Sequence, residues 1–321
     1  MSTALLFPGQ GSQRPAMLQS LPQSPAAAQA WAEAQHCLAR LDGLPGQLDT
    51  AEALQSTTNA QLSLLIAGVA YARALVDDHG LQAEFVAGHS VGAFAAAVLT
   101  GVLSLTDAIA VVRVRGDEMQ RACAGRHWGM AALSGLGLPG VRSLVNSHGT
   151  VRDPLWVANV NAADQTVISG TAAALENLRG AAESAGARDL AILDVGIASH
   201  CPLQAGTAEA VAAELRRVRH GSQQRAYLAN RTGRRLHHDP AGVIDDLAQA
   251  VQHPVQWFDG MRLLGELGVT TTVEVPPGHV LTSLALRTLP DVNAVALDEV
   301  GIDAALRRAR VARPSHPAAG A

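Results

Sequence analysis

The chain has 321 residues, 48% of them apolar and 16% charged, with a formal net charge of −4. Such a length suits about two domains, or one large α/β domain with an insertion, and the apolar share excludes disorder for all but the ends. The mild acidity gives no electrostatic footprint for nucleic acid or an anionic membrane, and an aromatic content of 3% leaves few rings for base stacking.

Every basic residue is an arginine. Without lysine, Walker-A phosphate binding, a pyridoxal Schiff base and lysine nucleophiles are all excluded. The three cysteines, Cys37, Cys123 and Cys201, are far apart and form no Cys-x-x-Cys pair, which disfavours structural zinc and a disulfide framework. The N-terminus lacks a basic region followed by a long apolar run, and no apolar stretch of membrane-spanning length is free of Gly, Arg or Asp. The expectation is a soluble, cytoplasmic protein.

In chain order, Ala4 to Phe7 predicts a short buried strand that stops at Pro8-Gly9-Gln10-Gly11-Ser12, a tight turn with free backbone amides. From Thr57 to Gly80 apolar residues recur at helical spacing. Glu84 to Ala87 predicts a strand, followed by Gly88-His89-Ser90-Val91-Gly92 and a small-residue helix running to Gly101. Ser104 opens the next helix, with Asp107 completing an imperfect capping box. Its apolar stripe carries an oddity: Arg115 falls beside Ala108 on the buried face, whereas Arg113 lies a quarter turn away.

From about Trp128 to Val195 the pattern is strand, helix, strand, strand, helix, strand, the ferredoxin-like βαββαβ order. Alternating helices and strands then resume, ending in a final helix near Leu281. The expected class is α/β: a large α/β-hydrolase-like domain with a parallel sheet (residues 1–127 and 196–312), interrupted by the ferredoxin-like subdomain (128–195). Residues 313–321 would form a flexible tail.

The chemistry concentrates in a few places. Gly88-His89-Ser90-Val91-Gly92 fits Gly-x-Ser-x-Gly between a strand and a helix. Such a turn exposes the Ser90 hydroxyl and sets the Val91 amide at a helix N-terminus, where the dipole favours an oxyanion. The alternative is a merely structural turn. A nucleophilic serine needs a base. His89 adjoins Ser90, but neighbours on such a turn point apart, and His237-His238-Asp239 sits in a surface loop. His200 lies where the chain rejoins the main fold after the inserted segment, a place where clefts form, and is either the base or a satisfied loop histidine. Nothing local activates Cys201. Arg115 is either half of a buried ion pair with a protein carboxylate or a fork of donors for a substrate carboxylate.

Six ordered blocks carry a resemblance. Phe7-Pro8-Gly9-Gln10-Gly11-Ser12-Gln13, Gly88 to Gly92, Arg115-Gly116 with Met119-Gln120, Ser199-His200-Cys201, Pro254-Val255-Gln256-Trp257 and Glu274 to Leu281 follow in the order and spacing of malonyl-CoA:acyl-carrier-protein transacylases. The chain resembles that family over all but its tail. The resemblance implies a ping-pong acyl transfer with Ser90 as nucleophile and His200 as base. It implies an oxyanion hole from the backbone amides of Gln10 and Val91, Arg115 on the malonyl carboxylate and Asn161 as a supporting polar group. It also implies that the main-chain carbonyl of Ala250 orients His200; other members often carry Gln there, a harmless change if only backbone is used. The substrate would be malonyl-CoA, the acceptor an acyl carrier protein with a phosphopantetheine-type arm, and no permanently bound cofactor or metal is implied.

One departure sharpens this. The serine motif continues into Ala93-Phe94, where the family usually has Glu. Gly-His-Ser-Val-Gly-Ala-Phe is similar to the transacylase (epsilon) subunit of malonate decarboxylase, whose acceptor is the decarboxylase's own carrier subunit. The transacylase of fatty-acid or polyketide synthesis is the alternative, and a serine esterase or a catalytically silent carrier-docking scaffold are more distant ones.

Overall fold

The computed structural model describes residues 2–44 and 46–310. The expected tail at 313–321, and the last residues assigned to the large domain, lie outside the described residues. The strands are β1 (Ser2–Phe7), β2 (Phe85–Gly88), β3 (Trp128–Ser134), β4 (Leu155–Ala162), β5 (Gln165–Thr171), β6 (Asp189–Ile192), β7 (Ala226–Leu228), β8 (Arg235–Leu236), β9 (Val269–Glu274) and β10 (Asn293–Ala296).

They form two sheets. The larger runs β10-β9-β1-β2-β7-β8, parallel throughout except for β8, which pairs antiparallel with β7. β1 and β2 read as unbroken apolar runs because strands covered by helices on both faces cannot alternate; residues Ala4 to Phe7 are fully buried. The smaller sheet, β4-β5-β3-β6, is antiparallel and packs its own apolar cluster, including Leu133, Leu144, Ile168 and Leu175. Its element order is the strand–helix–strand–strand–helix–strand expected from the sequence, with the second helix broken into Ala172–Asn177 and Arg179–Ser184.

The helix starting at Thr57 runs to Arg73 and closes in a wider turn over Ala74–Asp78. It is long and apolar enough to span a membrane, yet nearly all of it is buried inside the protein, as a central core helix must be. The Leu105–Ala122 helix is capped as its sequence suggests: the Asp107 amide donates to Ser104 Oγ at 3.0 Å. The Asp107 carboxylate takes the Ser104 hydroxyl instead of reaching back to its amide, which is why the box is imperfect. The helix near Leu281 (Val280–Thr288) is not the final one, because β10 and the Leu297–Arg310 helix follow it. Helices at Pro25–Leu38 and Trp257–Glu266 complete the set that sequence periodicity left unassigned.

Candidate active site

The site lies at the carboxyl end of β2, beside β1 and β7 in the middle of the larger sheet, where open parallel sheets place their ligand crevices. β2 ends at Gly88, and the Gly92–Leu99 helix begins four residues later. The turn between them needs its glycines. A Cβ on Gly88 would lie 2.1 Å from the carbonyl carbon of Gly92, and one on Gly92 would lie 2.2 Å from the carbonyl oxygen of Phe7. Ser90 itself takes a left-handed backbone (φ 55°), a strained state for a residue with a side chain. His200, the residue that meets it, is also left-handed (φ 58°).

Ser90 Oγ stands 2.8 Å from His200 Nε2, across a sequence gap of 110 residues. His200 Nδ1 donates to the carbonyl of Ala250 at 2.7 Å. That bond fixes the tautomer: with the proton on Nδ1, the Nε2 lone pair faces the serine hydroxyl. Ala250 ends the Pro240–Gln249 helix, so its carbonyl belongs to the negative end of a helix dipole, which favours positive charge on the ring it contacts. Only backbone makes this contact, so alanine serves as well as glutamine. The loop bearing His200 is pinned from both sides: its amide donates to the Val251 carbonyl at 2.8 Å, and Ser169 of β5 donates to the Ser199 carbonyl at 2.6 Å.

Burial, with the Arg115 charge adding to it, pushes the His200 imidazole down to about 3. It is therefore a neutral, proton-accepting base at physiological pH. Cys201, beside it, is buried and pushed up to about 12 by that burial, which leaves it an inert thiol.

Arg115 meets neutral partners in the fold. Its guanidinium, 3% exposed, donates through Nη2 to Ser90 Oγ at 3.1 Å and through Nη1 to the Gln61 side-chain oxygen. Among the described residues no carboxylate pairs with it. Arg113, two residues earlier, points elsewhere and binds Asp117. A charge this buried with only neutral hydrogen-bond partners lacks the counter-ion that normally offsets its desolvation.

The turn that holds Gln10 and the elbow that holds Val91 are neighbours. The Pro8-Gly9 turn packs against the elbow: a Cβ on Gly9 would lie 2.6 Å from the His89 carbonyl oxygen, and the His89 amide donates to the Phe7 carbonyl. Gln10 follows in that turn, and Val91 is the cap residue of the Gly92–Leu99 helix. Among the described residues neither amide donates to a protein acceptor, leaving both available to a developing negative charge.

Asn161 is one step removed: its Oδ1 lies 3.0 Å from His89 Nε2, so its hydrogen bond orients His89. His89 points away from Ser90 toward Asn161 and Trp257, whose ring centroid lies 5.4 Å away. His237 and His238 are indeed in an exposed loop, and no group of three metal-ligating side chains occurs among the described residues. Sequence reasoning missed Gln61 and Asn230. Gln61 shares the first two turns of its helix with Thr57, Thr58, Asn59 and Ser63, so nothing in the sequence singled it out. Asn230 was signalled only by its place just beyond β7, at the crevice end of a parallel strand.

Comparison with known proteins places the chain among relatives. The sequence profile of the acyl transferase domain matches residues 4–302. A malonyl CoA-acyl carrier protein transacylase from Salmonella typhimurium is 34% identical over 299 residues, covering 92% of this chain and 96% of that one. An acyl-carrier-protein-S-malonyltransferase from Bartonella henselae has the same fold with a TM-score of 0.88 and 33% identity, covering 97% of this chain and 100% of that one. A malonyl-transacylase solved in complex with a type II PKS acyl-carrier protein superposes with a TM-score of 0.87 at 30% identity, over 96% and 99% of the two chains. The profile match and these relatives place the chain in the class of acyl-transferring enzymes. The chain belongs to the acyl transferase domain family.

Proposed function

We propose that this protein is a malonyl-CoA:acyl-carrier-protein S-malonyltransferase working through a malonyl ester on Ser90. The Ser90 oxygen attacks the thioester carbonyl while His200 Nε2 takes the hydroxyl proton. The amides of Gln10 and Val91 hold the oxyanion, Arg115 grips the distal carboxylate, and the Ala250 carbonyl steadies the imidazolium. Collapse expels the CoA thiol, which leaves with the proton from His200. The thiol of a carrier protein's phosphopantetheine arm, deprotonated by His200, then attacks the ester and returns Ser90 to its starting state. Each half-reaction conserves one acyl group, and no resident cofactor is required. We also read the chain as an α/β-hydrolase-like domain, residues 1–127 and 196–312, around a ferredoxin-like insertion at 128–195, acting in the cytoplasm.

The observation that carries the proposal is the buried, carboxylate-free Arg115 guanidinium 3.1 Å from Ser90 Oγ. An acyl-enzyme with a carboxylate at its far end supplies the missing anion; an esterase acting on neutral esters would leave it unmet. Intact-mass measurement tests this: malonyl-CoA should add one malonyl group to the protein, holo-carrier protein should remove it, and Ser90→Ala should take none. An adduct on Ser90→Ala, or no adduct on the wild type, overturns the assignment.

The curated relatives support an acceptor carrier protein of the fatty-acid or polyketide kind. The narrower reading, a malonate decarboxylase transacylase subunit with that enzyme's carrier subunit as acceptor, rests on Ala93-Phe94 after the serine motif. Both residues are buried in the Gly92–Leu99 helix. Parallel transfer assays with an ordinary acyl carrier protein and with a carrier bearing a dephospho-CoA-derived arm separate the two.

A further inference from the structure

Behind the nucleophile lies a polar chain that none of the roles above uses. Asn230, 4% exposed, spans the elbow with its side-chain amide: Nδ2 donates to the Gly88 carbonyl at 2.7 Å and Oδ1 accepts the Ser90 amide at 2.8 Å. The carbonyl needs a donor and the N–H an acceptor, so the orientation of the amide is set. The backbone of Asn230 is equally committed. Its N–H donates to Asp246 Oδ2 at 2.8 Å, and its carbonyl accepts the Gln256 amide at 2.7 Å. Asp246, 2% exposed, also accepts the Tyr227 hydroxyl at 2.9 Å and the Arg231 amide at 3.0 Å.

Asp246 stands in the Pro240–Gln249 helix, one turn before Ala250, whose amide donates to the Asp246 carbonyl. The same helix end therefore reaches both halves of the catalytic pair. One arm runs from Asp246 through Asn230 to the Ser90 amide; the other is the Ala250 carbonyl on His200 Nδ1.

From this connection we infer that Asn230, anchored by Asp246, is a positioning residue that holds the strained Ser90 backbone and sets its hydroxyl at hydrogen-bonding distance from His200. Two physical points support it. A left-handed Ser90 persists only if its surroundings over-determine it, and its amide is the group most exposed to loss when the backbone relaxes. Asn230 also satisfies the Ser90 amide while leaving the next one, Val91, unengaged for the oxyanion. A water in place of the side chain could satisfy both groups but could not enforce a fixed separation between β2 and the Pro240–Gln249 helix.

The inference builds on Ser90 as the acyl carrier, and its test can fail separately from the proposed function. Wild type, Asn230→Ala and Asp246→Asn would be compared in two reactions, with thermal unfolding measured on the same samples. One is formation of the malonyl adduct from malonyl-CoA. The other is sulfonylation by phenylmethanesulfonyl fluoride, in which Ser90 Oγ displaces fluoride, its proton passes to His200 and no carboxylate takes part. Asn230→Ala should slow both reactions on the order of 10²-fold, the cost typical of a nucleophile displaced by about an ångström. The KM for malonyl-CoA should move little, because Arg115 is untouched. Asp246→Asn, which keeps the shape and most of the hydrogen bonds, should slow both roughly tenfold, and it serves if Asn230→Ala fails to fold. The inference is overturned if the folded variants react at wild-type rates, or if their whole loss appears in KM. A wild type that is sulfonylated but takes no malonyl group refutes the malonyl assignment, and the sulfonylation rates still decide the role of Asn230.

Discussion

Arg115 and Arg14 are the same side chain in opposite circumstances. Arg14, nearly half exposed, sits just past the Gln10 turn and grips the Asp298 carboxylate with both terminal nitrogens, Nη2 to Oδ1 at 2.6 Å. Asp298 also accepts the Gly278 amide at 2.9 Å, so the pair ties the loop after β1 to the loop after β9. The hydrogen bond to Asp298 raises the Arg14 pKa, whereas burial lowers that of Arg115 to about 10 with no carboxylate to oppose it. Arg115 still carries its charge near neutrality. An arginine paired within the fold is part of the scaffold, and on the proposed function Arg115, buried with neutral partners only, is the half of an ion pair that the malonyl carboxylate completes.

The largest test of that contrast is Arg115→Ala. Removing one partner of a buried ion pair costs about 3–5 kcal/mol, so the preference for malonyl over acetyl groups should fall by about two to four orders of magnitude. Relative kcat/KM for malonyl-CoA and acetyl-CoA measures this; an unchanged ratio would make Arg115 structural. Arg115→Lys keeps the charge and loses the fork of parallel donors. It should retain selectivity in the same direction with a rate loss of roughly tenfold to a hundredfold, read in the same assay.

A pH profile sharpens the comparison further. His200 sits at about 3, lowered first by burial and then by Arg115. The free enzyme should therefore keep its base down to pH values well below the ordinary histidine range, and kcat/KM should show no histidine-type acid limb between pH 5 and 7. Arg115→Ala should move that limb upward; Arg14→Ala should not. The same shift acts on stability. Below an unfolded-state value near 6.5 the unfolded chain binds the proton first, so stability present at neutral pH is lost as pH falls from there toward 3. Denaturant titrations on wild type and His200→Gln, with a flatter acid slope for the variant, check the sign.

The smallest effect belongs to Arg14→Ala. A solvent-exposed pair contributes about 1 kcal/mol or less, and the Gly278 amide keeps its carboxylate. Denaturation midpoints should shift slightly, with malonyl selectivity unchanged. A large selectivity loss here would erase the distinction between the two arginines.

Local pattern carried much of this protein. Apolar runs marked β1 and β2, helical periodicity marked the Thr57 and Leu105 helices, and the glycine-bracketed Ser90 announced a sharp turn, because each depends on neighbours a few positions away. Arg115 was legible as an anomaly on a buried stripe, but its sequence allowed two meanings. Only the folded chain showed that, among the described residues, no carboxylate meets it and that Gln61, 54 residues earlier, does. Asn230 lies 140 residues from the Ser90 amide it holds, and nothing in its own neighbourhood distinguishes it from a turn asparagine. Periodicity and turn chemistry are short-range, so residue order alone was enough for the elements and the reactive residue types. Partnership, burial and the field at each charge arise from contacts between distant segments, and those were decided by the tertiary structure.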